Sequence, residues 1–236
     1  MDSVNSYHLG VIPDGNRRWA LEQGLHPSEG HRKGAEKMEL LVNWGMGKDG
    51  IRELSVYALS EENFKRSNVE LSWLYDIYYD KLTKLLNSKQ VHKYGVKVNL
   101  VSTSPRRVPG DIMEVCRELK HETKFYGNKV LNLLIGYTGQ SEILKAVNSP
   151  MNRIKNLFFG LNEEDILRNL GVKNTCDFVI RTGEEEADRE AKSGFLLWQS
   201  AYSEYYHLKK YWPDLTSGDL DQAWNYFMHS RRMKGK

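Results

Sequence analysis

Residues 8–20 read HLGVIPDGNRRWA, and the fold turns on how the chain leaves this first apolar run. The run stops at Pro13. Asp14, Gly15 and Asn16 follow, then Arg17, Arg18 and Trp19. Taken alone, Asp-Gly-Asn is turn chemistry, because Gly accepts positive φ and the Asp and Asn side chains bond nearby backbone. Two arginines beside an acid, with a tryptophan behind them, are more than a chain reversal needs. They suit the end of a buried strand that opens on an anionic ligand.

Outward from that stretch, strand-like and helix-like segments alternate. Strands are predicted at 7–12, 51–59, 96–102, 129–137 and 176–181. Helices are predicted at 30–48, 69–87, 110–124, 141–155 with a break near Pro150, 163–171 and 220–232. The pattern is that of an α/β fold with a mostly parallel central sheet flanked by helices. The chain has 236 residues, 40% of them apolar, and no Pro-, Gly- or Ser-rich linker or internal repeat, so a single domain is expected. In such sheets ligands sit outside the carboxyl ends of the strands.

Composition narrows the function. A net charge of +3 does not suggest a nucleic-acid binder. Cys116 and Cys176 fit no zinc or redox spacing and read as reduced thiols, so a cytoplasmic protein is expected. No signal pattern or membrane-length apolar run is found, which leaves peripheral membrane association as the closest approach to lipid. The stretch GMGKDG at 45–50 matches a dinucleotide fingerprint but follows a helix and precedes a strand, the reverse of the required order. It reads as a helix end and a turn. Walker, zincin, serine-hydrolase and paired-aspartate motifs are absent.

Three strand ends carry chemistry. The first has Asp14 to Arg18. The second is followed by Ser60, Glu62, Asn63 and Arg66, and the late strand by Arg181 and Thr182. On one edge of a parallel sheet, several arginines, helix-start N–H groups and a carboxylate suit a polyphosphate with Mg²⁺. Helix 69–87 carries Leu71, Leu74, Tyr75, Tyr78, Leu82 and Leu85 at helical spacing. That stripe reads equally as a core face or as the wall of an apolar channel.

At this point the chain resembles the cis-prenyltransferase family, typified by undecaprenyl diphosphate synthase. HLGVIPDGNRRWA is similar to that family's opening motif, GHRKGAEK to its Gly-His element and LSVYALSEENFKRS to its Ser-x-Glu-Asn segment. DFVIRTG and FLLWQSAYSEYYHLKKYWPDL resemble its C-terminal signature. The resemblance implies an apolar tunnel and Mg²⁺-dependent transfer of the prenyl group of an allylic prenyl diphosphate donor to an acceptor, with loss of diphosphate. It implies Asp14 as the key acid and metal ligand, and Asn63 beside the reacting carbons with Ser60. It places Gly15, Asn16, Arg18, His31 and Arg66 on the donor diphosphate, and Arg181 and Ser193 on the acceptor. Trp19 and Glu62 fall within the same motifs, Trp19 reading more as packing. Glu204 matches a metal ligand used at a dimer interface, so a homodimer is expected, with 198–212 as its surface.

The departures from the family pattern cluster. Arg17 stands where a glycine is usual, and Pro27 or a neighbour where a phosphate-binding arginine is expected. After Arg181, the segment TGEEEADREAKS is longer and acidic, with Glu184 for a glycine and Ala191 for an arginine that Arg189 or Lys192 would have to replace. The donor half is kept, with Arg17 expected to bind substrate in place of the missing arginine, and the acceptor half is altered. The expectation is therefore a prenyltransferase with a non-standard acceptor, either a second prenyl diphosphate such as dimethylallyl diphosphate or a hydroxyl compound. An ordinary synthase elongating with isopentenyl diphosphate is the alternative, and a non-catalytic subunit of a heteromeric synthase a remote one.

Overall fold

The computed structural model describes residues 6–183 and 193–233, with side chains to residue 230. Six strands form one sheet: β1 (Tyr7–Ile12), β2 (Ile51–Ser60), β3 (Val96–Val101), β4 (Lys129–Tyr137), β5 (Phe178–Thr182) and β6 (Glu204–Leu208). Their order is β3-β4-β2-β1-β5-β6, and every pairing is parallel. All carboxyl ends therefore share one edge. The helices are α1 (Asn16–Glu22), α2 (Pro27–Gly47), α3 (Asn68–Leu86), α4 (Lys89–Lys93), α5 (Gly110–Glu122), α6 (Gly139–Val147), α7 (Pro150–Phe158), α8 (Glu163–Leu167) and α9 (Ser217–Met233). Among the described residues no helix is long and apolar enough to cross a membrane.

Strand β1 is buried along its whole length, as a central parallel strand must be. Its Leu9 and Val11 face a large core shared with α2, α3, α5 and α9, while Ile12 faces a second core with Val179, Phe195 and Leu196. Gly10 lies against the Phe195 ring, where a Cβ would come within 2.6 Å. At the amino edge, Glu53 is buried yet satisfied. It accepts from Asn132 at 2.6 Å and Asn174 at 2.6 Å, and Ser55 in turn bonds His8 at 2.7 Å.

The structure departs from the sequence reading in specific places. An unpredicted helix follows Asp14: α1 begins at Asn16, capped by Gly15 at φ +100° without a side-chain bond. Helix α2 starts at Pro27, three residues before the predicted start, with His26 as N-cap and proline in the first turn. The expected break near Pro150 is present: Ser149 caps a second helix that begins there. Helix α8 stops at Leu167 rather than 171. A sixth strand, β6, lies inside 198–212, a stretch read from sequence only as surface. The GMGKDG stretch ends α2 and turns into β2, as expected.

Helices α1 and α2 touch through two glycines of GHRKG. A Cβ on Gly30 would fall 2.0 Å from the Asn16 carbonyl oxygen, and one on Gly34 2.2 Å from Asn16 Oδ1. No side chain fits, so the two glycines fix how close the start of α1 lies to α2. Replacing Gly30 with Ala should lower stability by about 1–3 kcal/mol, the usual cost of overpacking. A urea-unfolding midpoint checks it.

Candidate active site at the carboxyl edge of the sheet

Asp14 follows the end of β1 and is tied on three sides. Its N–H donates to Thr182 Oγ1 at 2.9 Å, and the same hydroxyl donates back to the Asp14 carbonyl at 3.0 Å. Trp212 N–H also donates to that carbonyl at 3.0 Å. The carboxylate accepts from Gly15 N–H at 2.6 Å and from Arg181 Nη2 at 3.0 Å, and lies 3.4 Å from Arg18 Nη2. It is still 41% exposed, so it can take further partners. Arg181 reaches Ser193 Oγ at 3.1 Å through its other nitrogen. Arg18 lies over the Tyr211 ring, 5.4 Å from its centroid. Gly15 is required here: a Cβ would fall 2.4 Å from that same Tyr211 ring.

A second polar group sits where α1, α2 and α3 meet. Arg66 donates to His31 Nε2 at 3.0 Å and to Glu70 Oε1 at 2.8 Å. Arg17, 60% exposed, lies 3.7 Å from Glu70 Oε2. Because an arginine can only donate, His31 Nε2 is the acceptor and its ring proton sits on Nδ1. Burial, then the Arg66 charge, pushes the His31 pKa down to about 4, so the ring is neutral at physiological pH.

Between α2, α3 and the sheet runs a cavity of about 170 Å³. Pro13, Asn16 and His31 line one end, Met38, Val42, Leu74, Ile77 and Leu82 its walls, and Lys81, Lys84 and Ser88 the other end. Asn16 Oδ1 is buried with no hydrogen-bond partner at this polar end. The stripe of α3 thus does both things left open by periodicity. Leu74 and Leu82 are buried core residues that also line the cavity. Tyr78 lines it too and anchors its hydroxyl on the Ala58 carbonyl, whereas Tyr79 is exposed and Trp73 packs edge-on against His26.

Other expected residues lie elsewhere. Ser60 and Asn63 cap each other across the turn after β2, at 3.0 and 3.3 Å. Glu62 points into solvent, its side chain 82% exposed and 4.0 Å from Lys65. Trp19 donates to Asp214 at 2.8 Å and fastens α1 to the turn Trp212–Asp214. Glu204 opens β6 and accepts from Ser230 at 2.8 Å. That position is three residues, about 10 Å, short of the level of Arg181. The acidic segment from Glu184 to Lys192, with Arg189 and Ala191, lies outside the described residues. Sequence reasoning missed Glu70 and Tyr211. Both sit inside amphipathic or aromatic patterns that explain them as packing.

Among the described residues no three His, Cys, Asp or Glu side chains gather into a ready cation cage. Mg²⁺ does not need one, since it commonly takes one or two carboxylates plus substrate phosphate oxygens and water. The exposed carboxylate of Asp14, beside two guanidinium groups, fits that donor set.

Comparison with known proteins gives the family. A family model described as "Putative undecaprenyl diphosphate synthase" matches residues 12–235. A tritrans,polycis-undecaprenyl-diphosphate synthase (geranylgeranyl-diphosphate specific) of Picrophilus torridus is 37% identical, over 97% of this chain and 89% of its own. The enzyme of the same name from Pyrococcus furiosus is 36% identical, over 97% and 86%. Among solved structures, lavandulyl diphosphate synthase from Lavandula x intermedia, in complex with dimethylallyl diphosphate, superposes with a TM-score of 0.83 at 25% identity over 96% of each chain. A probable undecaprenyl diphosphate synthase from Campylobacter jejuni gives 0.75 at 27% identity over the full length of both. The chain belongs to the undecaprenyl diphosphate synthase family, the cis-prenyltransferases, and is a transferase of prenyl groups.

Proposed function

We propose that this chain is an Mg²⁺-dependent cis-prenyl diphosphate synthase that joins the prenyl group of an allylic diphosphate to isopentenyl diphosphate. The observation that carries the reading is the Asp14 carboxylate, set between Arg18 and Arg181 beside the polar end of an apolar cavity. In the reaction the allylic C–O bond breaks and the diphosphate leaves with the electron pair. The alkene of the acceptor forms the new C–C bond, and a proton leaves the adjacent carbon. The protein's task is to stabilise charge gathering on the leaving group. Arg18 and the N–H groups at the start of α1 face the donor diphosphate, with neutral His31 donating from Nδ1. Arg181 and Ser193 hold the acceptor diphosphate. The cavity shelters the hydrocarbon, and Asn63 lies on the same edge to orient the acceptor for loss of its proton, which passes to the released diphosphate. Mg²⁺ held by Asp14 would neutralise further phosphate charge.

A non-standard acceptor is the second reading. It is favoured by the likeness to lavandulyl diphosphate synthase and by Ala191 standing where the family has an arginine. Products formed from labelled geranylgeranyl diphosphate with isopentenyl or dimethylallyl diphosphate separate the two. Repeated elongation with isopentenyl diphosphate alone supports the first, and a single condensation with dimethylallyl diphosphate the second. Neither product, with Mg²⁺ present, would sink both. In whichever assay is active, Asp14→Asn should lower kcat about 10²–10³-fold.

For Glu204 to serve as a metal ligand, a second copy must bring it, because within one chain it sits at the wrong level of the sheet. We therefore read the active form as a homodimer. Light scattering on the purified chain should give twice the 27.4 kDa of the monomer; a monomer with full activity overturns this.

His31 also predicts a pH response. Its folded pKa lies below the ordinary 6.5, so its contribution is present above pH 6.5 and is lost as pH falls toward 4. Between pH 7 and 4.5, urea midpoints should fall more for the wild type than for His31→Gln.

A further inference from the structure

Among the described residues Glu70 is the one carboxylate at the meeting point of α1, α2 and α3, where it faces Arg17, His31 and Arg66. It occupies the third position of α3, where its N–H donates to the Ser67 cap at 3.2 Å, and its side chain is only 11% exposed. Its two oxygens divide their partners. Oε1 takes Arg66 at 2.8 Å and lies 3.6 Å from His31, while Oε2 faces Arg17 at 3.7 Å. The positive end of the helix favours a charged carboxylate here. A helix start alone would not call for two arginines from other elements and a histidine gathered on one side chain.

We propose that Glu70 is a positioning residue for the donor diphosphate, holding Arg66 and Arg17 at the polar end of the cavity and, through Arg66, fixing the proton of His31 on Nδ1. The proposal rests on the prenyl diphosphate synthase reading. Glu70 itself does not touch the substrate, since a carboxylate repels phosphate. It acts by removing freedom from two long cationic side chains, whose ordering would otherwise be charged to binding. It also explains Arg17, the residue that departs from the family pattern. Arg17 is drawn toward the cavity mouth by a counter-ion on α3, the helix that forms the cavity wall. The charge remains right for an anion. Among the described residues Arg17, Arg18, Arg66 and Arg181 gather around the two carboxylates of Asp14 and Glu70.

The test is steady-state kinetics of Glu70→Gln and Glu70→Asp with geranylgeranyl diphosphate as donor and the acceptor that the wild type uses. Glu70→Gln keeps the shape and removes the charge. Its KM for the donor should rise about tenfold with kcat within about threefold, and Glu70→Asp should recover part of the loss. Arg17→Gln should raise the same KM, and the double variant Arg17→Gln with Glu70→Gln should cost less than the two single effects combined. A role confined to capping α3 would lower the melting temperature and leave the KM unmoved, which overturns the proposal. A lower KM in Glu70→Gln also overturns it, because Glu70 would then compete with the diphosphate for the arginines. A wild type that turns over neither acceptor defeats the enzyme reading itself. In that case, binding of the non-ionisable thiolo analogue of the donor by calorimetry still tests Glu70: unchanged affinity in Glu70→Gln rejects the proposal, and a tenfold loss upholds it.

Discussion

The hydroxyl of Thr182 both accepts from the backbone N–H of Asp14 and donates to its carbonyl. On this small reciprocal bond the rest of the site depends. It joins the ends of β1 and β5 just past the point where their ladder stops, at the pair Ile12 and Arg181. Between these strands the chain changes direction across the sheet: β2 lies on one side of β1 and β5 on the other. Such a switch point is where an open α/β sheet leaves a crevice. With the two ends fastened, Arg181 meets the Asp14 carboxylate from the neighbouring strand, and α1 begins directly over the crevice.

Helix α1 is then held by what it lacks. Gly15 supplies a left-handed cap that no side chain could occupy under Tyr211, and Gly30 and Gly34 let the Asn16 backbone and side chain press onto α2. Trp19 and Trp212 complete the fixture through Asp214 and the Gly34 carbonyl, at 2.8 and 2.7 Å. The first helix is thus placed by close backbone approach and by indole N–H groups rather than by a large apolar face; Ala20 is its only buried residue.

This is why the sequence disclosed some parts and hid others. The buried strands are legible because a central parallel strand has to be apolar on both faces, and β1, β4 and β5 are. Helix α1 was hidden because its start is written in turn residues and its anchor is non-local. Strand β6 was hidden because it is an edge strand of only five residues, half exposed, and its Tyr-Tyr pair reads equally as surface. At the site, Asp14 and Arg181 could be paired in advance by the rule that parallel strands share an edge. Glu70 could not, since its partners come from α1, from α2 and from the turn before α3, and only packing brings these together. Glu62 shows the converse. It lies in a motif with Ser60 and Asn63, yet the short helical turn directs it to solvent while those two cap each other.

The chemistry of the edge also depends on keeping one group uncharged. His31 is surrounded by Arg66 and Arg17, with Glu70 as the nearby acid, and burial outweighs that acid so that the ring stays neutral. A protonated ring would donate from both nitrogens and leave the Arg66 N–H facing another donor at 3.0 Å. The neutral tautomer resolves this: one nitrogen accepts from Arg66, and the other is left as a donor. Four arginines already supply the positive charge. What the site gains from an uncharged imidazole is direction, a single N–H whose orientation is set by the same arginine that Glu70 holds in place.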